Sequence, residues 1–206
     1  FNTNDIILKI PEIVPLIFKK DYLKLLKSIL GCKYLDLQHS KYMAKDKKNS
    51  SKIPLHQDFP YFPHTDNRLL AFTFHLDGSN PNNGGMFFYA GKWSKPIDHY
   101  KLNMKNKTLF SKNKIKNSNI HNLVCPPGSV SIHSCFVPHG SNKSMGAKRR
   151  SCVYQLRHPE NKQIGGAIWR CSNINPETME YNSYKYKYLN KIYSGRKIWE
   201  PKEYFN

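Results

Sequence analysis

Three copies of the pattern His-x-Asp lie close together in this chain, at His56-Gln57-Asp58, His64-Thr65-Asp66 and His75-Leu76-Asp77. In an extended segment residues i and i+2 point to the same face. A His and a carboxylate at that spacing can therefore supply two neighbouring ligands of a two-His, one-carboxylate metal site. Such a site needs one more His from a distant strand and leaves three coordination positions open for other reactants. Context separates the three copies. The run Ile53-Pro54-Leu55-His56-Gln57-Asp58-Phe59-Pro60 puts the first pair at the end of a short apolar stretch and before a turn, which suits a rigid strand mouth. His64-Thr65-Asp66 follows Pro63 and precedes Asn67, so it reads as a loop in which Asp66 caps a turn. His75 ends a strand and is expected to point inward with Thr73, but Asp77-Gly78 is turn chemistry, which makes this pair the second choice.

The distant His has two candidates, His133 and His139, in Ser131-Ile132-His133-Ser134-Cys135-Phe136-Val137-Pro138-His139-Gly140-Ser141. Fully extended, the chain between them would span roughly 20 Å, so both reach one metal only across a sharp bend. His139 has the more direct link to a cation, through Gly140, Ser141 and a polar turn to Arg149 and Arg150. A dicarboxylate cosubstrate needs such a cation, because a guanidinium pairs bidentately with a carboxylate.

The elements that must position these residues are mainly strands. Period-two patterning marks Tyr34 to Ala44, Arg68 to Leu76, Met86 to Ala90, Ser129 to Ile132 and Arg150 to Leu156. Pro81-Asn82-Asn83-Gly84-Gly85 and Pro126-Pro127-Gly128 read as turns between them. Before the strands, Asp21 to Leu30 carries Tyr22, Leu25, Leu26 and Ile29 at helical spacing, with Asp21 as N-cap and Gly31 as the closing residue. Lys45 to Lys52 and Lys101 to Asn119 are basic stretches expected to form loops, and the Tyr- and Lys-rich tail from Glu177 to Asn206 is expected to pack as partial helix on the domain edge.

Length and composition set outer bounds. At 206 residues and 24.1 kDa the chain suits one domain over 1–206, with a core of about 34–158 and its N-terminal helix and C-terminal tail packed on it. No apolar run is long enough to span a bilayer as a helix. The five cysteines are scattered without a C-x-x-C pair, which excludes a recognisable disulfide framework or zinc ribbon and fits a reducing, cytoplasmic location. The chain begins at Phe1, so the native start can lie upstream. A formal charge of +19 would attract anions, whether an acidic small molecule or a nucleic acid. Lys-rich solvated faces explain much of that charge, so a small-molecule substrate, with room for an anionic one, is favoured over nucleic acid. Nothing in the sequence sets the oligomeric state.

The string Pro54-Leu55-His56-Gln57-Asp58-Phe59-Pro60-Tyr61-Phe62-Pro63-His64-Thr65-Asp66, the turn Asn82-Asn83-Gly84, and Pro126 to Ser141 followed by Arg149-Arg150 resemble the phytanoyl-CoA dioxygenase family of iron and 2-oxoglutarate oxygenases. The resemblance runs from about His39 to Leu156. It implies an all-β double-stranded β-helix, a cupin-like jelly roll with flanking helices. It also implies Fe(II) held by His56, Asp58 and His139, with 2-oxoglutarate and O2 as cosubstrates. By the family's pattern Arg150, eleven residues beyond the distal His, binds the far carboxylate of 2-oxoglutarate. Ser141 and Gln57 are implied in the same pocket, and Thr73 is placed with them. Adjacent arginines on a strand face opposite ways, so this spacing makes Arg150 the inward residue and Arg149 a surface cation. The implied reaction is by default hydroxylation of an unactivated C–H bond with release of succinate and CO2, with ring closure, desaturation and epimerisation left open because they need the same iron site. Retention of Asp58, where related halogenases carry a small residue, argues against halogenation. Ala90-Gly91-Lys92-Trp93 departs from the family where many members have Pro-Gly-Ser-His, so no relative's substrate transfers to this chain. The competing readings are a nucleic-acid-directed protein, suggested by the charge, and a jelly-roll binding module without catalysis.

Overall fold

The computed structural model describes residues 1–48, 50–97, 115, 119–166 and 169–180. In chain order the elements are β1 (Asn2–Asn4), α1 (Ile6–Lys9), α2 (Val14–Ile17), α3 (Lys20–Leu30), β2 (Asp36–Lys45), β3 (Ile53–His56), β4 (Leu69–His75), β5 (Met86–Tyr89), β6 (Ile120–Asn122), β7 (Ser129–Ser134), β8 (His139–Ser141) and β9 (Arg149–Arg157). The strands form two antiparallel sheets, ordered β1-β2-β9-β4-β7 and β3-β8-β5-β6. This is the expected jelly roll with flanking helices.

The larger sheet is apolar on its outer face and polar on its inner one. Leu70 and Phe72 on β4, with Cys152, Tyr154 and Leu156 on β9, are buried against Ile7, Ile17, Phe18 and Leu26 of the helical segment. Burying this face removes apolar area from water at about 25 cal/mol per Å², and it fixes the phase of every strand in the sheet. The alternate residues must then face the second sheet. Ala71 and Thr73 on β4, His133 on β7, and Arg149, Val153 and Gln155 on β9 line an internal pocket.

One irregularity sets the inner face of β2. The register runs Leu37↔Leu156 and then His39↔Gln155, so Gln38 is an extra residue on that strand. A bulge of this kind reverses the side-chain phase beyond it. Leu37 packs outward on the helices, whereas Lys41, Met43 and Lys45 face the interior. Gln38 itself donates to Gln163 at 2.8 Å.

Helix α3 begins one residue before the expected Asp21, with Lys19 at the N-cap, and Asp21 instead supplies negative charge to the first turn. Gly31 closes the helix at φ 66° as anticipated. Its buried residues are Leu26 and Leu30, with Tyr22 and Leu23 packed beside them, whereas Leu25 and Ile29 are exposed. The expected basic loop from Lys101 and most of the C-terminal tail lie outside the described residues. Among the described residues no helix is long and apolar enough to cross a membrane.

In the smaller sheet β8 lies between β3 and β5. A Cβ on Gly140 would stand 2.6 Å from the Phe87 ring and 2.9 Å from the Ile53 carbonyl oxygen, so the strand fits only without a side chain there. Gly140→Ala is expected to cost about 1–3 kcal/mol of stability, read as a fall in Tm. An unchanged Tm would show that β8 is not clasped in this way.

Candidate metal centre

His56 ends β3, Asp58 follows it, and His139 opens β8, where the register pairs His56 with His139. The chain geometry therefore brings the three side chains together at one end of the smaller sheet, facing β9. Their ligand atoms all lie within 4.8 Å of one another. Asp58 Oδ1 is 3.7 Å from His56 Nε2 and 3.8 Å from His139 Nε2.

The surroundings select the atoms that face inward. His56 Nδ1 lies 2.7 Å from the Pro54 carbonyl oxygen and His139 Nδ1 lies 2.9 Å from that of Val137. A carbonyl can only accept, so both Nδ1 atoms carry the proton and both Nε2 lone pairs are left for a metal. Gln155 Nε2 donates to Asp58 Oδ2 at 2.8 Å, which leaves Oδ1 toward the histidines. The backbone of Asp58 is tied down as well, donating to the Cys135 carbonyl at 3.1 Å. Burial alone would raise the Asp58 carboxyl, but His139, His133 and His56 outweigh it and hold it well below the usual carboxylate range. Burial, reinforced by His56, holds the His139 imidazole well below its ordinary value, hence neutral. A neutral imidazole and an ionised carboxylate are the forms that bind metal.

The sharp bend between His133 and His139 does exist, at Cys135 to Pro138, and both rings reach Asp58. His133 Nε2 stands 3.6 Å from Asp58 Oδ2, the oxygen already taken by Gln155, so His133 lies beside the triad rather than within it. The other two His-x-Asp pairs are structural. His64 is buried with Nδ1 2.6 Å from the Phe62 carbonyl, and Asp66 accepts from the Arg68 backbone at 2.8 Å, capping the turn as expected. His75 points inward and meets Ser131 Oγ at 2.9 Å, and burial, with Arg149 adding to it, pushes it down to about 4.

Next to the triad is a second group of polar side chains, and here the two arginines are exchanged relative to expectation. Arg149 is buried and lines the pocket, and its Nη1 donates to the Gly84 carbonyl at 3.1 Å. Arg150 is exposed and holds Asp77 in a bidentate ion pair, with contacts of 2.8 and 2.7 Å. The reason is the phase of β9. Arg150 stands in register with outward Cys152 and Tyr154, whereas Arg149 is in register with Gln155, which touches Asp58. Counting from His139 crosses Asn142 to Lys148, which is not strand, so residue spacing does not carry the phase across it.

Ser141 and Thr73 do line the pocket. Gln57 does not: its amide donates to the Phe136 carbonyl at 2.5 Å and accepts from Ile97 N at 2.6 Å, on the far side of the strand from His56 and Asp58. Lys45, assigned to a loop from sequence, is the last residue of β2 and is buried. Its ammonium donates to Ser141 Oγ at 2.7 Å and to the Asn142 carbonyl at 2.6 Å. Burial, with Arg149 adding to it, pushes its pKa down to about 7. Lys41 and Gln155 were also missed. The signal for Gln155 was the alternation within β9, opposite Tyr154 and Leu156; for Lys41 the alternation within β2 misleads, because the bulge at Gln38 interrupts it.

A jelly roll with a His-Asp-His cluster, Asp58 and His139 buried and His56 partly so, at the mouth of its smaller sheet belongs with the metal-dependent oxygenase folds. More particularly, the model of the phytanoyl-CoA dioxygenase family matches residues 2–152, and the chain belongs to that family. No curated protein sequence matches it significantly. Among solved structures it is similar to EctD from S. alaskensis crystallised with 2-oxoglutarate and 5-hydroxyectoine, at 15% identity and TM-score 0.69 over 84% of this chain and 64% of that one. SnoK, a non-heme alpha ketoglutarate dependent carbocyclase from nogalamycin biosynthesis, aligns at 14% identity and TM-score 0.67 over 81% and 67% of the two chains. AviO1 from Streptomyces viridochromogenes Tue57 aligns at 17% identity and TM-score 0.57 over 71% of this chain. The present chain spans 61% of AviO1 and 32% of EvdMO1. At these identities the likeness establishes the fold.

Proposed function

We propose that this chain is an iron(II)- and 2-oxoglutarate-dependent oxygenase that hydroxylates a C–H bond of a small molecule. The observation that carries this reading is the pairing of two sites in one pocket. Two Nε2 atoms and Asp58 Oδ1 converge on one point, and beside them stand buried donors with no partner, Arg149 Nε and Thr73 Oγ1. An unpaired buried donor costs about 1–3 kcal/mol, so such atoms mark a place where a ligand supplies the acceptor. The donor set, two neutral imidazoles and one carboxylate with open positions, is that of non-haem iron oxygenases.

His56, Asp58 and His139 would hold the metal, and Arg149, Ser141 and Thr73 the far carboxylate of 2-oxoglutarate. Together the two groups supply the oxidising power, by coupling decarboxylation of 2-oxoglutarate to oxidation of the substrate with O2. The protein's own contribution is to orient and exclude. Pro54 and Val137 carbonyls fix the tautomer and ring plane of the two histidines, and Gln155 fixes the rotation of the Asp58 carboxylate. Gly84, in the Asn-Asn-Gly turn at φ 75°, presents the carbonyl that anchors Arg149. The site lies between the sheets, which suits a small molecule.

The test is succinate formation from 2-oxoglutarate, expected to require both Fe(II) and O2. Succinate formed equally without added iron in chelator-treated protein would count against the proposal. Lys45 adds a second test. With its pKa at about 7, it is partly neutral in the empty protein near neutral pH, and a carboxylate arriving beside it favours the charged form. Binding of 2-oxoglutarate is therefore expected to take up a proton at about pH 7–8, and not at about pH 5.5, where Lys45 is already charged. Calorimetry in buffers of different ionisation enthalpy reads this directly. Uptake that persisted in Lys45→Met would assign it elsewhere.

A further inference from the structure

The pocket at the metal centre opens into a larger cavity of about 510 Å³, and Lys41 lines both. Lys41 is placed there by the bulge at Gln38, which turns this stretch of β2 inward. Lys41 and Lys45 are four positions apart on an extended strand, roughly 13 Å along the backbone, so their side chains leave β2 at different points of the interior. Lys45 is engaged by Ser141 and Asn142, at the Arg149 end. The Lys41 side chain makes no hydrogen bond or ion pair among the described residues, and the charged group that bears on it favourably is Asp58.

Asp58 cannot serve as its partner once the site is loaded. Its Oδ2 accepts from Gln155, and its Oδ1 faces the histidines as a metal ligand. No other Asp or Glu lines the larger cavity, whereas Lys45 and Lys52 do. Lys41 is half-buried, so water can solvate its ammonium while the cavity is empty; an occupant that fills the cavity displaces that water, and the group that then completes the cation is an anion the occupant brings. The remaining walls suit an organic body: Tyr61 stands edge-on to His56 at 5.6 Å, and Trp169 stacks on His39 at 3.8 Å. Phe62 lies against Trp169. We infer that the substrate oxidised at this centre is an organic acid, with a carboxylate or phosphate paired to Lys41 and its apolar part against Tyr61 and Trp169. The inference rests on the oxygenase reading and names the substrate class of that same site.

The test uses protein loaded with Zn(II) in place of iron, so that nothing turns over, and saturated with 2-oxoglutarate. Octanoate, phenylacetate and phenyl phosphate are titrated by calorimetry against octanamide, phenylacetamide and phenol. At least one anion is expected to bind about tenfold or more tightly than its neutral counterpart. Lys41→Gln should remove that preference and Lys41→Arg should keep it, with 2-oxoglutarate affinity unchanged in both. The carboxylate and phosphate arms tell which acid is taken. Equal binding of every acid and its counterpart, or a preference that survives Lys41→Gln, would overturn the inference. So would loss of 2-oxoglutarate rather than of the acid, since Lys41 would then serve the cosubstrate. Lys41-dependent anion binding in a wild type that never binds 2-oxoglutarate would leave this anion site standing and refute the oxygenase reading instead.

Discussion

Replacing Arg149 by Ala is expected to raise the 2-oxoglutarate concentration for half-maximal succinate formation by about 30-fold or more, while Arg150→Ala leaves it within about twofold. The two residues are neighbours and chemically identical, so the contrast isolates position. Arg149 is buried at the pocket, its Nη1 held by Gly84 and its Nε without a partner. Burial pushes it down to about 10, still a cation at neutral pH. Removing it leaves a carboxylate against Ser141 and Thr73 without its guanidinium partner, a loss of about 2 kcal/mol or more. Arg150→Ala removes an ion pair with Asp77 that is exposed, screened by solvent and on the outer face, away from the pocket. The opposite pattern, with Arg150 essential and Arg149 dispensable, would mean that β9 sits one residue out of the register given by Leu70↔Leu156 and Phe72↔Tyr154.

Asp58→Ala is expected to abolish iron binding and lower succinate formation by at least about 100-fold, more than the 10- to 100-fold typical of losing a residue that only supports a ligand. The substitution removes the single negative charge of the donor set. It also strips Gln155 Nε2 of its acceptor and His133 of the oxygen it faces. Because that rearrangement could disturb the fold, Asp58→Asn serves as a second variant: it keeps the shape and an acceptor for Gln155 but not the charge. Both should lose iron, measured as metal per chain after desalting, and Asn should keep the wild-type Tm more closely. Stoichiometric iron retained by either variant would remove Asp58 from the donor set.

The parts of this site legible in the sequence were those fixed by local geometry. A His and an Asp two apart after a strand must sit side by side, so His56 and Asp58 could be read directly. His139 followed from the resemblance and from its link through Gly140 and Ser141 to the arginines, and β8 has room only for glycine at position 140, between Phe87 and Ile53. The long strands were legible because a buried apolar face imposes its period, as at Leu70 and Phe72 or Cys152 and Tyr154. Of the strands of three or four residues, β5 was legible from its aromatic run after the Asn-Asn-Gly turn, whereas β1, β3, β6 and β8 show no period, and α1 and α2 are single turns around Pro11 and Pro15.

What failed did so across irregular backbone. The eleven-residue count to Arg150 crosses a turn, and only the pairing of β9 with β2 and β4 sets which arginine faces in. The apolar phase at Cys152, Tyr154 and Leu156 was already visible and would have placed Arg150 on the helix-covered side. In the sequence Lys45 reads as the start of a basic loop and Lys41 does not stand out; the extra residue at Gln38 shifts the phase of β2 and turns both inward. Gln57, between His56 and Asp58 just beyond β3, faces the other way, toward its hydrogen bonds with Phe136 and Ile97.

The most direct test of the central claim is anaerobic addition of Fe(II) and 2-oxoglutarate to the metal-free protein, followed by visible absorption. A bidentate keto acid on iron gives a charge-transfer band, and the pocket built by His56, Asp58, His139 and Arg149 should produce it in the wild type at one iron per chain. Arg149→Ala should need far more 2-oxoglutarate to reach the same absorbance, and Asp58→Ala should show none. Absence of the band in wild-type protein at saturating iron and 2-oxoglutarate would contradict the account.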